Sequence, residues 1–478
     1  MTPVLTCEDL TVTYPDGTTP VNNISFAVEP GTCFALVGGS GAGKTTIAKA
    51  LMGLHGHGTR TSGKLFLGTK NMSDASAETW RSVRGRDLGF VAQSPWSACD
   101  PLRPVRDHVA EAWRCHGLTT SWQEIGTRLT NLGVTDATMR MVQHPHTWSG
   151  GMLQRAGIAA AGALTPPLII ADEPTSALDA DRAQSVLDSL RALGCAILLI
   201  SHDIGLVLKN TDKVGVLHRG RIVEQGPPGT LKSAAFHPES KRLLAALSPL
   251  PKRNNAERQT PLLRLENVSV HYDRGQVQAL DNADLEIRSG EIVGVQGPSG
   301  CGKSTLLRIA MGIERPSGGT LWRSEELDRS GATMPIFQDP VASLVPHWPV
   351  WRSVAEPLSA PHRQRLKTAD LKAKALSAMA MVGLRDVDPD ARPSELSVGQ
   401  CQRVSVARAA ITRPPLIVAD EPTSALDSPS TWMVSNLLQS AAEAGSAILI
   451  VSHDSTLLER LADRIVYMNA GRTLLRVP

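Results

Sequence analysis

Twelve residues, LIIADEPTSALD at Leu168–Asp179, recur as LIVADEPTSALD at Leu416–Asp427 with a single change, and nothing else in the chain restricts the fold as tightly. A short apolar run bounded by acids and then proline predicts a buried strand of a parallel sheet with a turn at its carboxyl end. Asp172 and Asp420, followed by Glu173 and Glu421, then sit at the mouth of a sheet. Such a pair suits phosphoryl transfer from a nucleotide, one carboxylate facing Mg²⁺ and the other orienting an attacking water. Acids at a strand end can also simply cap a turn, so the reading depends on what else each copy carries.

The repetition runs the length of the 478 residues: Lys44 and Lys303 are 259 positions apart, Asp172 and Asp420 248, and His202 and His453 251. A nearly constant offset means two domains of one fold that differ by loop deletions. We place them at 1–250 and 262–478, joined by a polar, aperiodic linker at 251–261. Each copy reads as a β-rich start, a strand, a Gly-rich loop, a helix, a weakly periodic helical middle, the acidic strand and a last strand. Ile47, Leu51 and Leu54 are expected along the first helix, matched by Leu306, Ile309, Met311 and Ile313 in the second copy. Strands alternating with helices predict a mostly parallel α/β sheet with its ligand at the strands' carboxyl ends.

Composition removes several classes. A formal net charge of +3 gives no long-range basic field for nucleic acid. The clusters Arg81, Arg84, Arg86 and Arg363, Arg365, Lys367, Lys372, Lys374 read as solvated helix faces. No apolar run reaches the roughly 18 residues of a membrane span, and MTPVLTCEDL lacks the pattern of a secretion signal, so the chain is expected inside the cell. Seven scattered cysteines without CxxC spacing fit reduced thiols better than disulfides, zinc or an iron–sulfur cluster.

GGSGAGKTT at Gly38–Thr46 and GPSGCGKST at Gly297–Thr305 both satisfy G-x-x-x-x-G-K-[ST] after an apolar strand, which makes the nucleotide reading specific. The glycines Gly38, Gly39, Gly41, Gly43 and Gly297, Gly300, Gly302, with Ser40 and Ser299 between them, let backbone N–H groups turn toward a phosphate at a helix start. Lys44 and Lys303 then reach the β- and γ-phosphates. Thr45 and Ser304 offer hydroxyls to Mg²⁺, and Thr46 and Thr305 follow them. The implied cofactors are ATP and Mg²⁺.

With WSGGMLQR at Trp148–Arg155 and LSVGQCQR at Leu396–Arg403, both copies resemble the nucleotide-binding domain of ABC transporters over nearly the whole chain. The resemblance implies an α/β fold of two tandem P-loop ABC-type nucleotide-binding domains, each with a mostly parallel core sheet, an antiparallel β subdomain and a helical signature subdomain. It implies an intramolecular pseudo-dimer, in which Ser149, Gly150 and Gly151, and Ser397, Gly399 and Gln400, close over nucleotide held by the other copy. Glu173 and Glu421 with His202 and His453 would be catalytic. Thr45, Gln93, Asp172, Ser304, Gln338 and Asp420 would face the metal, and Tyr14 and Tyr272 would stack on adenine. Val398 departs from the family's glycine, and by the crossed arrangement we expect the Lys44 site to turn over more slowly than the Lys303 site.

FQDPVASLVP at Phe337–Pro346 and FHPESKRLLAAL at Phe236–Leu247 resemble runs of dipeptide, oligopeptide and nickel importer ATPases, here with both ATPase domains in one chain. That implies an energy-coupling ATPase peripheral to the cytoplasmic face of the inner membrane. Its partners would be two membrane permeases and, indirectly, an extracytoplasmic binding protein, with no nucleic acid. The cargo, whether peptide, nickel chelate or metallophore, is not written in such a chain. A sugar importer's fused ATPase and a ribosome-associated translation factor are the alternatives; the FQDP and HP runs speak against the first, the short linker and weak charge against the second.

Overall fold

The computed structural model describes residues 2–39, 41–175, 180–247, 260–272, 277–298, 300–359 and 366–475. The chain divides into two units, Met1–Leu247 and Ser248–Pro478. Of the expected linker only Thr260 and Pro261 are described, and Pro261 opens the first strand of the second unit.

In the first unit a six-stranded sheet runs in the order Arg221–Gly226, Lys213–His218, Cys33–Val37, Ala196–Ser201, Leu168–Asp172, Leu88–Val91. All neighbours are parallel except the first pair. Its strands read as continuous apolar runs because both faces are covered. Alternation assigns the side chains: Cys33, Ala35, Val37, Ile169 and Ala171 enter one core with the helical region. Phe34, Leu36, Leu168 and Ile170 enter another beneath an antiparallel sheet of Val21–Val28, Leu5–Thr13, Arg60–Leu67 and Lys70–Asn71.

The second unit repeats the plan by itself. Its six-stranded sheet is ordered Thr333–Ile336, Leu416–Asp420, Ala447–Val451, Ile292–Gln296, Arg464–Asn469, Arg472–Leu475. Ile417 and Ala419 face one core, and Leu416 and Val418 face the other. The antiparallel sheet has three strands, Val277–Arg288, Pro261–Tyr272 and Gly318–Arg323.

The helix after each Gly-rich loop is shorter than its apolar spacing predicts. It spans Lys44–Leu51 in the first unit and Lys303–Met311 in the second. Leu54 and Ile313 lie beyond it, 46% and 65% exposed. Gly53 and Gly312 stop the helix in the left-handed region, φ 60° and 74°. The Leu54 N–H turns back to Lys49 O, and the Ile313 N–H to Arg308 O, which satisfies carbonyls the helix would otherwise leave open.

Candidate nucleotide site

The central strand order brings three carboxyl ends together in each unit. From Cys33–Val37 the chain enters the Gly-rich loop, from Ala196–Ser201 it reaches His202, and Leu168–Asp172 delivers the acids. The loop glycines divide by role. A side-chain carbon on Gly38 would lie 2.3 Å from Leu217 O, and one on Gly43 2.3 Å from Pro20 O; Gly297 and Gly302 meet Met468 O and Ala279 O as closely. These four let the loop pack on neighbouring backbone. Gly41 and Gly300 have φ of 76° and 80° with open space beside them, a backbone conformation that glycine adopts without strain. Ser40 and Ser299 lie outside the described residues.

Lys44 Nζ donates to the carbonyls of Gly38 and Gly39, and Lys303 Nζ to those of Gly297 and Pro298. Each ammonium therefore lies inside its own loop at a helix start. In the first unit the Glu173 carboxylate gathers three partners: Gln93 Nε2 at 3.0 Å, His202 Nδ1 at 3.2 Å and Lys44 Nζ at 3.7 Å. Burial pushes this carboxyl up, but the bond and charge of His202, with Lys44, outweigh it and hold it below its ordinary value. Burial and the neighbouring Glu173 charge raise Asp172, against a hydrogen bond from Thr45.

The second unit keeps the residues with fewer contacts. Glu421 Oε1 is buried without a hydrogen bond, and His453 Nε2 lies 3.5 Å away. Burial and the Asp420 charge push this carboxyl up to about 7. Gln338 is exposed, and among the described residues it makes no hydrogen bond to Glu421. Both glutamates hold left-handed backbone, φ 47° and 50°. Their N–H groups bond across to Ile200 O and Val451 O. The paired rare conformation turns the carboxylate out of the strand toward the loop.

The two signature runs start helices, Gly150–Ala161 and Val398–Ala410, with Ser149 and Ser397 as caps. Gln400 completes a reciprocal box by accepting from the Ser397 N–H at 2.7 Å. Met152 at the matching position has no acceptor for Ser149. Val398 is the first helical residue and 53% exposed. Its matching Gly150 is also helical and does not use positive φ, so valine brings bulk to this surface without entering a backbone conformation that favours glycine. Gly151 has open space beside it, whereas a side-chain carbon on Gly399 would lie 2.9 Å from Ala425 O. The aromatic pair stands beside the helix starts: Tyr14 OH lies 2.9 Å from Thr46 Oγ1, and Tyr272 OH 3.5 Å from Thr305 Oγ1.

The ABC transporter family model matches residues 21–176 and 280–424, which include both Gly-rich loops, both signature runs and both acidic strands. The chain belongs to that family. This ABC protein is an ATPase carrying two ATP-binding domains in one chain. It is 32% identical to the peptidoglycan transport ATP-binding protein YejF of Agrobacterium fabrum, over 99% of this chain and 92% of the relative. It is also 32% identical to the glutathione import ATP-binding protein GsiA of Pectobacterium atrosepticum, over 95% of this chain and 82% of the relative. A solved structure titled RNase-L Inhibitor shares the fold, with a TM-score of 0.67 at 20% identity over 98% of this chain and 90% of that one.

Mg²⁺ fits the donors of this ABC ATPase. Asp172 Oδ1 is buried without a hydrogen bond beside the Thr45 hydroxyl, and among the described residues no cluster of three His, Cys, Asp or Glu forms a complete cage. A cation held by one carboxylate, one hydroxyl and phosphate oxygens needs that arrangement.

Sequence reading missed the residues that brace the site. Ser201 and Ser452 accept from the N–H of Asp203 and Asp454, fixing the turns that carry the histidines; the repeated SHD triplet was the available signal. Arg84, expected on a solvated face, is half-buried. It donates to Met52 O and Gly53 O, capping the loop helix while lying over Trp80. Arg323 does the same for Ala310 O. Arg81, Arg86 and Lys367 are exposed as expected, Lys372 pairs with Asp390, and Arg363 and Arg365 lie outside the described residues.

Proposed function

We propose that this ATPase drives an importer of peptide-type substrates through two separate membrane permeases, fed by an extracytoplasmic binding protein, from the cytoplasmic face of the inner membrane. The observation that carries the reading is end-to-end alignment, across both fused domains, with ATP-binding proteins named for peptidoglycan transport and glutathione import. Among the described residues no helix is long and apolar enough to cross a membrane; the translocation path would belong to the separate permeases. The nickel-chelate and metallophore cargoes remain within the proposal because the permeases, and not this chain, would recognise them.

Lys44 and Lys303 would hold the terminal phosphates, with Tyr14 and Tyr272 on the adenine. Thr45 with Asp172, and Ser304 with Asp420, would hold Mg²⁺, which neutralises charge on the transferring phosphoryl group. Glu173 and Glu421 would orient water, and His202 and His453 lie within reach of the same carboxylates. Gln93 and Gln338 would report nucleotide state toward the permeases.

The test is affinity purification of the tagged chain from detergent-solubilised membranes. Recovery of two permeases, with ATPase activity raised by a peptide-loaded binding protein after reconstitution, supports the reading. Recovery with ribosomes and no permease overturns it.

A further inference from the structure

The two aromatic positions are not equivalent. In the second unit the Tyr272 hydroxyl donates to Glu314 Oε2 at 2.6 Å, leaving its lone pairs to face Thr305 Oγ1 at 3.5 Å. Glu314 is placed by the end of the loop helix: Gly312 turns the chain, and the Glu314 N–H bonds Arg308 O at 3.3 Å. In the first unit the matching residue is His55, whose ring bonds Thr61 Oγ1 at 3.0 Å instead. Among the described residues the Tyr14 hydroxyl has Thr46 alone as its partner, and the residue is 37% exposed.

A phenol bound to a carboxylate at 2.6 Å has a stronger anchor than one sharing a neutral hydroxyl. Holding the ring in one orientation before ligand arrives removes the entropy cost of ordering it on binding. We propose that Glu314 is a positioning residue that presets Tyr272 for the nucleotide base, so that the second unit binds ATP more tightly than the first. The inference rests on Tyr272 stacking on the base, as proposed above. Glu314 acts through the tyrosine and touches no reacting atom.

The experiment uses the full chain in a Lys44→Ala background, so that MgATP titrated calorimetrically reports the second unit. Glu314→Ala is expected to weaken MgATP binding by about three- to tenfold, the effect of leaving one side chain to be ordered on binding. Tyr272→Phe should weaken it equally, and Glu314→Ala with Tyr272→Phe no further, since both remove one bond. Glu314→Gln, which keeps an acceptor, should restore most of the affinity, a rescue that general misfolding would not give. In the reciprocal Lys303→Ala background, His55→Glu should tighten binding at the first unit. Unchanged affinity in Glu314→Ala, with Tyr272→Ala clearly weakened, overturns the proposal and leaves base stacking intact. Unchanged affinity in Tyr272→Ala removes the stacking reading and the proposal with it.

Discussion

Gln93 donates its amide to the Glu173 carboxylate at 3.0 Å, whereas Gln338 makes no matching bond to Glu421 among the described residues. Lys44 adds a contact of 3.7 Å on the first glutamate only. Glu173 must exchange these partners before it can orient water, while Glu421 Oε1 makes no hydrogen bond and has only the longer His453 contact at 3.5 Å. The Glu421 site is therefore expected to carry the larger share of turnover. Each Glu→Gln change should slow its own site about 10²-fold or more, and Glu421→Gln should remove more of the total than Glu173→Gln. Phosphate release at saturating MgATP decides between them; equal losses would end the asymmetry.

The loop glycines give a prediction in which folding and binding separate. Gly43→Ala puts a carbon 2.3 Å from Pro20 O at φ 103°, so backbone must move, and a loss of about 1–3 kcal/mol in the first unit is expected. Gly41→Ala meets open space and suffers only the φ penalty, about 1 kcal/mol, yet it adds a methyl to the loop whose backbone N–H groups would face the phosphate. Thermal unfolding should rank Gly43→Ala as the more damaged. MgATP titration should show Gly41→Ala losing affinity out of proportion to its stability.

Arg84 predicts a local effect. Its two bonds to Met52 O and Gly53 O are charge-assisted and partly screened by exposure, so their loss in Arg84→Met should cost about 1–2 kcal/mol. Met keeps the stem's packing against Trp80. Hydrogen exchange of the helix Lys44–Leu51 should quicken by roughly tenfold, with the amides of the strand Leu168–Asp172 unchanged. A uniform rise across the unit would mean that Arg84 supports the whole fold instead.

How much of this was legible follows from what each feature depends on. The parallel sheet and the placement of the acids were readable because apolar runs such as Leu168–Ala171 and loops such as Gly38–Thr46 impose local geometry wherever they occur. Leu54 and Ile313 were misassigned because apolar spacing continued past Gly53 and Gly312, where left-handed backbone ends the helix. Arg84 was unreadable from its neighbours Arg81 and Arg86, since its partners lie 31 and 32 residues away. The pairing of Glu173 with Gln93 was likewise hidden, because equal sequence motifs carry unequal side-chain contacts in the two units.

The last asymmetry joins the glutamine loop to the signature helix. In the second unit Ser343 Oγ lies 3.0 Å from Ser405 Oγ, and Arg408, buried on the same helix, donates to Ser343 O at 2.8 Å. The matching residues of the first unit are Ala98, Gly157 and Ala160, which have no side-chain donors or acceptors. The segment after Gln338 is therefore tied to the helix that begins at Ser397, and its counterpart after Gln93 lacks these bonds. Arg408→Met should release about 1.5–3 kcal/mol of charge-assisted bonding. Ser343→Ala, which leaves the carbonyl in place, should release about 1 kcal/mol. Exchange of amides 341–344 should accelerate in that order, while Ala98→Ser in the first unit changes nothing, since Gly157 offers no hydroxyl to meet it. Exchange in Arg408→Met indistinguishable from the parent would show that the loop is held by packing of Leu344 alone.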